Sequence, residues 1–472
     1  MEISKNKLPN IKKAKKRNIK KKIITFCYDK KFNNLGKNKK YFIRTYGCQS
    51  NIRDSEIISG ILKQLSYVPT TNIENANLVI LNTCAIRENA ELKVFSEIGL
   101  LKKLKEKNDV KFGICGCMAQ EEGVVEKIIK KIPHVDFIFG TNDINEIPRI
   151  LYDLYNTKKR VISVSSNLNY IYENLPSIRD NKIKAFVNIM YGCDKFCSYC
   201  IVPYTRGPLR SRKSEDILQE VNELIKKGYK EVTLIGQNVN SYGLDFKKNY
   251  YFKNLLEDVA KTNIERVRFT TSNPWNFTKD IVDVMSKYKN IMPHIHLPIQ
   301  SGDEAILEAM NRKMKIEKYL ELISYIKEKI PNCSITTDII VGFPNESSKQ
   351  FSNTIKLYDT VKFDNAYTFI FSKRIGTPAA LIKDKILDET KKQRLEMLNE
   401  IVRKYAKENC EKWVGKIIDV LVEGSSKKEK KVLTGYSPQW KVVNFIGKAK
   451  EGQIVKVKIT SASRFSLNGN QI

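Results

Sequence analysis

The chain has 472 residues, 42% of them hydrophobic and 10% aromatic, which excludes a largely disordered protein and leaves room for two or three cored domains. Lysine and arginine number 83 against 52 aspartates and glutamates, a formal charge of +31 that favours polyanionic partners. The general abundance of Lys, Asn and Ile reflects a compositional bias, so part of that excess carries no function.

Residues 1–40 hold fifteen basic and two acidic side chains and are expected to form a disordered arm, either a nucleic-acid-binding tail or a solvated leader. They contain no signal-peptide core, and no apolar stretch approaches the roughly twenty residues a membrane span needs. Ten cysteines in a chain of this length do not look like a secreted disulfide scaffold, so a reducing cytoplasm and no membrane partner are expected.

From residue 41 to 155, short apolar runs at 41–45, 78–82, 111–114 and 136–139 alternate with helical patterns at 54–65 and 118–131. That alternation predicts a parallel sheet with helices packed on it. Cys48, Cys84 and Cys117 each follow one of the runs. If the strands are parallel neighbours, the three thiols meet at the carboxyl edge of one sheet, where open α/β sheets place their sites. The plainer reading of an isolated cysteine is a small buried hydrophobe, and Cys27, Cys115, Cys333 and Cys410 are read that way because none has partners at ligand spacing. Polar residues 156–181 are expected to be a linker.

A second unit, 182–411, has strand-like runs at 185–190, 231–235, 266–270, 294–297, 334–341 and 365–371 with helical patterns between them and a trailing helix at 389–411. After the first run stand Cys193, Cys197 and Cys200, in Tyr-Gly-Cys-Asp-Lys-Phe-Cys-Ser-Tyr-Cys. Three thiolates on one short loop can hold three irons of a cubane and leave the fourth open. A zinc knuckle would want a fourth ligand, and none sits nearby. His294 and His296 alternate along one strand and face the same side; packed, hydrogen-bonded histidines are expected rather than ligands. Residues 412–472 are short β-like runs with Gly-bearing turns, twelve basic residues against four acidic, and the aromatics Tyr436, Trp440 and Phe445. They suit a small basic barrel, its aromatics mostly core and its lysines facing RNA.

Taken together, residues 45–56, 82–91, 116–120, 191–207 and 296–313 resemble the methylthiotransferases of the radical S-adenosylmethionine superfamily. The Tyr-Gly-Cys-Gln and Cys-Ser-Tyr-Cys-Ile-Val-Pro-Tyr-Thr-Arg-Gly wording is similar to the branch acting on N6-dimethylallyladenosine in tRNA, and the likeness runs from about Tyr41 to the C-terminus. The resemblance implies an α/β protein: a parallel N-terminal domain (41–155), a partial (β/α)6 radical barrel (182–411) and a small β-barrel of the TRAM type (412–472). It implies two [4Fe-4S] clusters, one on Cys48, Cys84 and Cys117 and one on Cys193, Cys197 and Cys200, the second with S-adenosylmethionine on its open iron. It further implies that Gly236 and Gln237, Ser272 and Asn273, and Val341 and Gly342 contact that cofactor, although by residue type each is equally an ordinary turn. One S-adenosylmethionine would supply the methyl group and another the radical that activates C2–H of the adenine, with the auxiliary cluster supplying or carrying sulfur. A reductant such as flavodoxin or ferredoxin and a monomeric state go with this reading. Ser50, Lys195 and Pro208-Leu209 depart from the family's wording without replacing a ligand. Two alternatives stay open: a sibling methylthiotransferase acting on threonylcarbamoyladenosine or a ribosomal-protein aspartate, and a non-catalytic RNA-binding metal protein.

Overall fold

Alternate residues of Leu78-Val79-Ile80-Leu81 enter two different cores, Leu78 and Ile80 one, Val79 and Leu81 the other. A strand buried on both faces is what a parallel sheet covered by helices requires. The computed structural model describes residues 21–85, 94, 96–121, 123–165, 169–426 and 429–472. They group into two compact units.

The first unit comprises residues up to Asp180 together with Met190–Arg212 and Lys373–Ala380. Its sheet runs Val68–Pro69, Lys40–Thr45, Leu78–Thr83, Lys111–Gly116, Phe137–Phe139, Val161–Ser163, with every neighbouring pair parallel. Helices Gln49–Gln64 and Ile147–Thr157 cover one face, and Ile98–Lys107 and Val124–Lys131 the other.

Three expectations need correction here. The helix expected over 118–131 is a 3-10 turn, Cys117–Gln120, followed by Val124–Lys131. The turn is capped by Glu121, and Gly123, at φ +73°, is the N-cap of the helix. Residues 156–181 are not a bare linker: Val161–Ser163 closes the sheet edge, and Tyr170–Glu173, where Ile171 is buried between half-buried tyrosines, forms a second strand. That strand pairs in parallel with Lys22–Thr25, so the stretch expected to be a disordered arm carries a strand too. Phe32 then buries its ring edge-on against Tyr152. Long-range pairing of this kind has no local signature. Residues 1–20 lie outside the described residues.

The second unit holds two three-stranded parallel sheets, Arg266–Phe269/Glu231–Ile235/Lys184–Asn188 and His294–His296/Ser334–Val341/Asn365–Ile370. A bridge between Val267 and Ile291 links the first sheet to the chain entering His294–His296, and the two sheets together carry the six βα repeats of a partial barrel. Helix Asp388–Glu411 leads to a closed five-stranded barrel of Ile417–Ser425, Leu433–Tyr436, Val442–Ile446, Ser466–Gln471 and Ile454–Ala462. Val420, Val443, Phe445, Val457 and Leu467 fill it. Tyr436 and Trp440 stack on each other at 4.7 Å, and Arg268 lies over the Trp440 ring at 4.5 Å. Both rings therefore pack within the unit. Among the described residues no helix is long and apolar enough to cross a membrane.

Candidate iron–sulfur and cofactor site

Parallel register sets the first group of thiols. Thr45 pairs with Asn82, and Thr83 with Gly116, so Cys48, Cys84 and Cys117 leave the carboxyl ends of three adjacent strands. Gly47, at φ +147°, leaves no room for a side chain: a Cβ there would stand 2.9 Å from the Cys84 Cβ and from Asn51. Asn51 and Asn82, both fully buried, lock helix to strand. Asn51 Nδ2 donates to Thr83 O at 2.9 Å, and Asn82 Nδ2 returns a bond to Asn51 O at 2.8 Å.

A residue from far along the chain completes the group. Arg206 Nε donates to Cys117 Sγ at 3.0 Å, and its Nη2 bonds Asp54 Oδ2 at 2.7 Å. Phe196, Ile201 and Tyr204 close over Ala85 and Cys117 as a small core. A hydrogen bond from the Cys84 thiol, aided by Arg206, holds the Cys48 thiol well below the usual thiol range. Burial pushes the Cys117 thiol up to about 11 despite Arg206. Cys48 is thus prepared for ionisation, whereas Cys117 needs a metal to draw off its proton.

Cys193, Cys197 and Cys200 sit on the loop between the short strands Met190–Tyr191 and Arg210–Ser211, which pair antiparallel. Cys193 N donates to Gly207 O at 3.0 Å and Cys200 N to Cys197 O at 2.9 Å, which folds the loop back on itself. Phe196 takes φ +50°, rare for a side chain of that size. Among the described residues no three His, Cys, Asp or Glu side chains converge to hold one metal ion. A cubane does not need them to, since each thiolate binds a different iron. Both thiol trios thus suit a cluster by donor chemistry.

In the second unit, the loops carrying Gly236-Gln237 and Ser272-Asn273 are stitched together: Asn240 Nδ2 donates to Asn273 O at 2.9 Å and Asn273 N to Asn240 Oδ1 at 2.8 Å. Ser272 Oγ and Asn238 Oδ1 are buried and have no hydrogen-bond partner among the described residues. Val341 and Gly342 are fixed separately. Gly342, at φ +67°, donates its N–H to Glu346 Oε2 at 2.9 Å, and Arg394 holds that carboxylate at 3.0 Å. The histidines behave as packed side chains: His294 Nε2 and His296 Nδ1 both bond Thr336 Oγ1, at 3.3 and 3.0 Å. Cys115 is likewise part of a hydrophobic core.

Arg206, Asp54, Asn51 and Asn82 were not singled out from sequence. Only the position of Arg206 inside the Thr-Arg-Gly run could have pointed to it.

The chain matches the Radical SAM superfamily over residues 187–358, the Uncharacterized protein family UPF0004 over 40–140 and the TRAM domain over 411–471. A curated relative from Malacoplasma penetrans, named tRNA-2-methylthio-N(6)-dimethylallyladenosine synthase, is 59% identical, covering all of this chain and 97% of its own. One of the same name from Staphylococcus epidermidis is 53% identical over 98% of this chain and 91% of its own. Among solved structures, a radical S-adenosylmethionine methyltransferase from Kitasatospora setae shares the fold at a TM-score of 0.54, with 11% identity over 73% of this chain and 75% of that one. Identity above one half, sustained over nearly the whole of both chains, places this one in the family of tRNA-2-methylthio-N(6)-dimethylallyladenosine synthases.

Proposed function

We propose that the protein converts N6-dimethylallyladenosine beside the tRNA anticodon, at adenosine-37, to its 2-methylthio derivative, replacing C2–H by C2–S–CH3. Full-length identity to relatives of that name supports the reaction. The observation that carries its two-cluster form is the arrival of three thiols at adjacent strand ends, under an arginine that donates to one of them. When bound, a cubane and S-adenosylmethionine would supply one-electron cleavage of the sulfonium, a second S-adenosylmethionine the methyl group, and a second cubane would supply or carry the sulfur.

The chain's own residues do the rest. Cys193, Cys197 and Cys200 would hold three irons, and Cys48, Cys84 and Cys117 another three. The Arg206 guanidinium places positive charge beside Cys117 in a water-poor pocket, which favours the thiolate. Gly236, Gln237, Ser272, Asn273, Val341 and Gly342 belong to loops that follow barrel strands, where such folds keep their reactive ends. A domain order of 41–155, 182–411 and 412–472, a cytoplasmic setting, a flavodoxin- or ferredoxin-type electron donor and a monomer complete the reading. The TRAM match supports an RNA role for the last domain.

Anaerobic reconstitution with reductant, S-adenosylmethionine and tRNA bearing N6-dimethylallyladenosine, followed by nucleoside mass spectrometry, tests the reaction. The 2-methylthio nucleoside should appear; 5′-deoxyadenosine without it would move the substrate to the sibling class. Cys197→Ala should abolish 5′-deoxyadenosine, whereas Cys84→Ala should keep it and lose methylthiolation. Full methylthiolation by the Cys84 variant would remove the second cluster, as would an iron content near four rather than about eight per chain.

A further inference from the structure

The first unit contains a cavity of about 50 Å³ whose polar lining includes Asp54, Asn142, Asn145, Tyr191, Arg206 and Arg210. On a scale where one water takes about 10–15 Å³, that is room for several waters or one small oxyanion. Arg210 is only 2% exposed. Its Nη2 donates to Arg206 O at 3.1 Å, but Nε and Nη1 find no acceptor among the described residues.

Neighbouring carboxylates are committed elsewhere. Asp54 takes Arg206 at 2.7 Å, Glu173 takes Arg212 at 2.7 Å, and Asp194 accepts the Leu209 N–H at 3.2 Å. Burial accordingly drives the Arg210 guanidinium down to about 10, the condition of a charge whose desolvation is poorly offset. Asn142 Nδ2, another donor of the lining, is also buried without an acceptor, and Asn145 Oδ1 is a buried acceptor without a donor. Two kinds of unfilled donor, on a buried and poorly offset cation and on a buried amide, describe a place for an anion. The lone acceptor suits a hydroxyl on the same ligand.

We propose that this cavity is a phosphate-type oxyanion site, with Arg210 Nε and Nη1 and Asn142 Nδ2 as donors and Asn145 Oδ1 receiving a hydroxyl. The phosphate is either free or part of an RNA backbone, where a ribose 2′-hydroxyl lies close by. The site goes beyond the methylthiolation reading, because a phosphate titration reports on it whatever reaction the enzyme runs.

The test compares the iron-loaded full chain with Arg210→Met and Asn142→Asp. Melting temperature is followed against inorganic phosphate, with chloride matched for ionic strength, and tRNA affinity is measured in parallel. The wild type should gain several degrees in saturating phosphate and both variants none. Without phosphate, Arg210→Met should melt no lower than wild type, since it removes an unpaired buried charge. If the phosphate belongs to RNA, Arg210→Met should also weaken tRNA binding roughly tenfold, with a salt slope smaller by about one. A lost phosphate shift with unchanged tRNA affinity identifies a free anion instead. Equal phosphate shifts in all three proteins would overturn the site. So would no shift in the wild type together with tRNA affinity indifferent to Arg210→Met.

Discussion

Replacing Arg206 by Met cuts a buried charge pair whose N–O distance is 2.7 Å, with Arg206 7% and Asp54 4% exposed. The Asp54 carboxylate would be left without its cation in a place where burial already raises its affinity for a proton. Stranding one member of such a pair costs about 3–5 kcal/mol, while removing both charges often costs little. Asp54→Asn alone should be similarly harmful, and the double variant Arg206→Met/Asp54→Asn should recover much of the loss, giving a coupling of at least about 2 kcal/mol. A chain of this length need not unfold in one step, so hydrogen exchange of metal-free protein is the suitable assay. Peptides covering 49–64 and 202–212 should exchange about a hundredfold or more faster in each single variant, at about 1.4 kcal/mol per tenfold. Single-variant effects that simply add in the double variant would refute the idea that the pair fastens the loop to the helix Gln49–Gln64.

Burial pushes the Asp143 carboxyl up to about 6 from an ordinary 3.8. Between those values the folded chain binds the proton and the unfolded chain does not, so Asp143 costs stability as pH rises through the window, by up to about 3 kcal/mol. Asp143→Asn should therefore gain on wild type between pH 4 and 6.5 in thermal melts, and parallel curves would contradict the assignment. Gly192 takes φ +69°, and a Cβ there would stand 2.0 Å from Pro208 O, so Gly192→Ala should spread the short hairpin and lower iron bound per chain on reconstitution. Wild-type iron content in that variant would show the loop to be tolerant. Glu231→Gln strands Arg268, which bonds Glu231 at 2.9 Å and the carbonyls of Ser437 and Pro438 at 2.9 and 2.8 Å. The cost is about 3–5 kcal/mol, and limited proteolysis should release the C-terminal barrel sooner than in wild type.

What could be read from sequence was local. Residues 41–45, 78–82 and 111–114 are short apolar runs each followed within a few positions by a cysteine, and the structure makes them adjacent parallel strands. The final barrel strand, Ser466–Gln471, escaped notice because only Leu467 in it is a large apolar residue, and its pairing partner Val442–Ile446 lies far back in the chain. Lys22–Thr25 and Tyr170–Glu173 were missed for the same reason, each being too short to declare itself without the other. Arg206 lies 89 residues from Cys117 and 152 from Asp54, so no periodicity could join them.

That separation sets an order of events during synthesis. The three strands and their thiols are complete once Cys117 has left the ribosome, yet Arg206, with Phe196, Ile201 and Tyr204, emerges up to 89 residues later. At about 5–20 residues per second, this is an interval of roughly 4–18 s. Through that interval the nascent sheet edge lacks the arginine and the small apolar core that cover Cys117 in the folded chain.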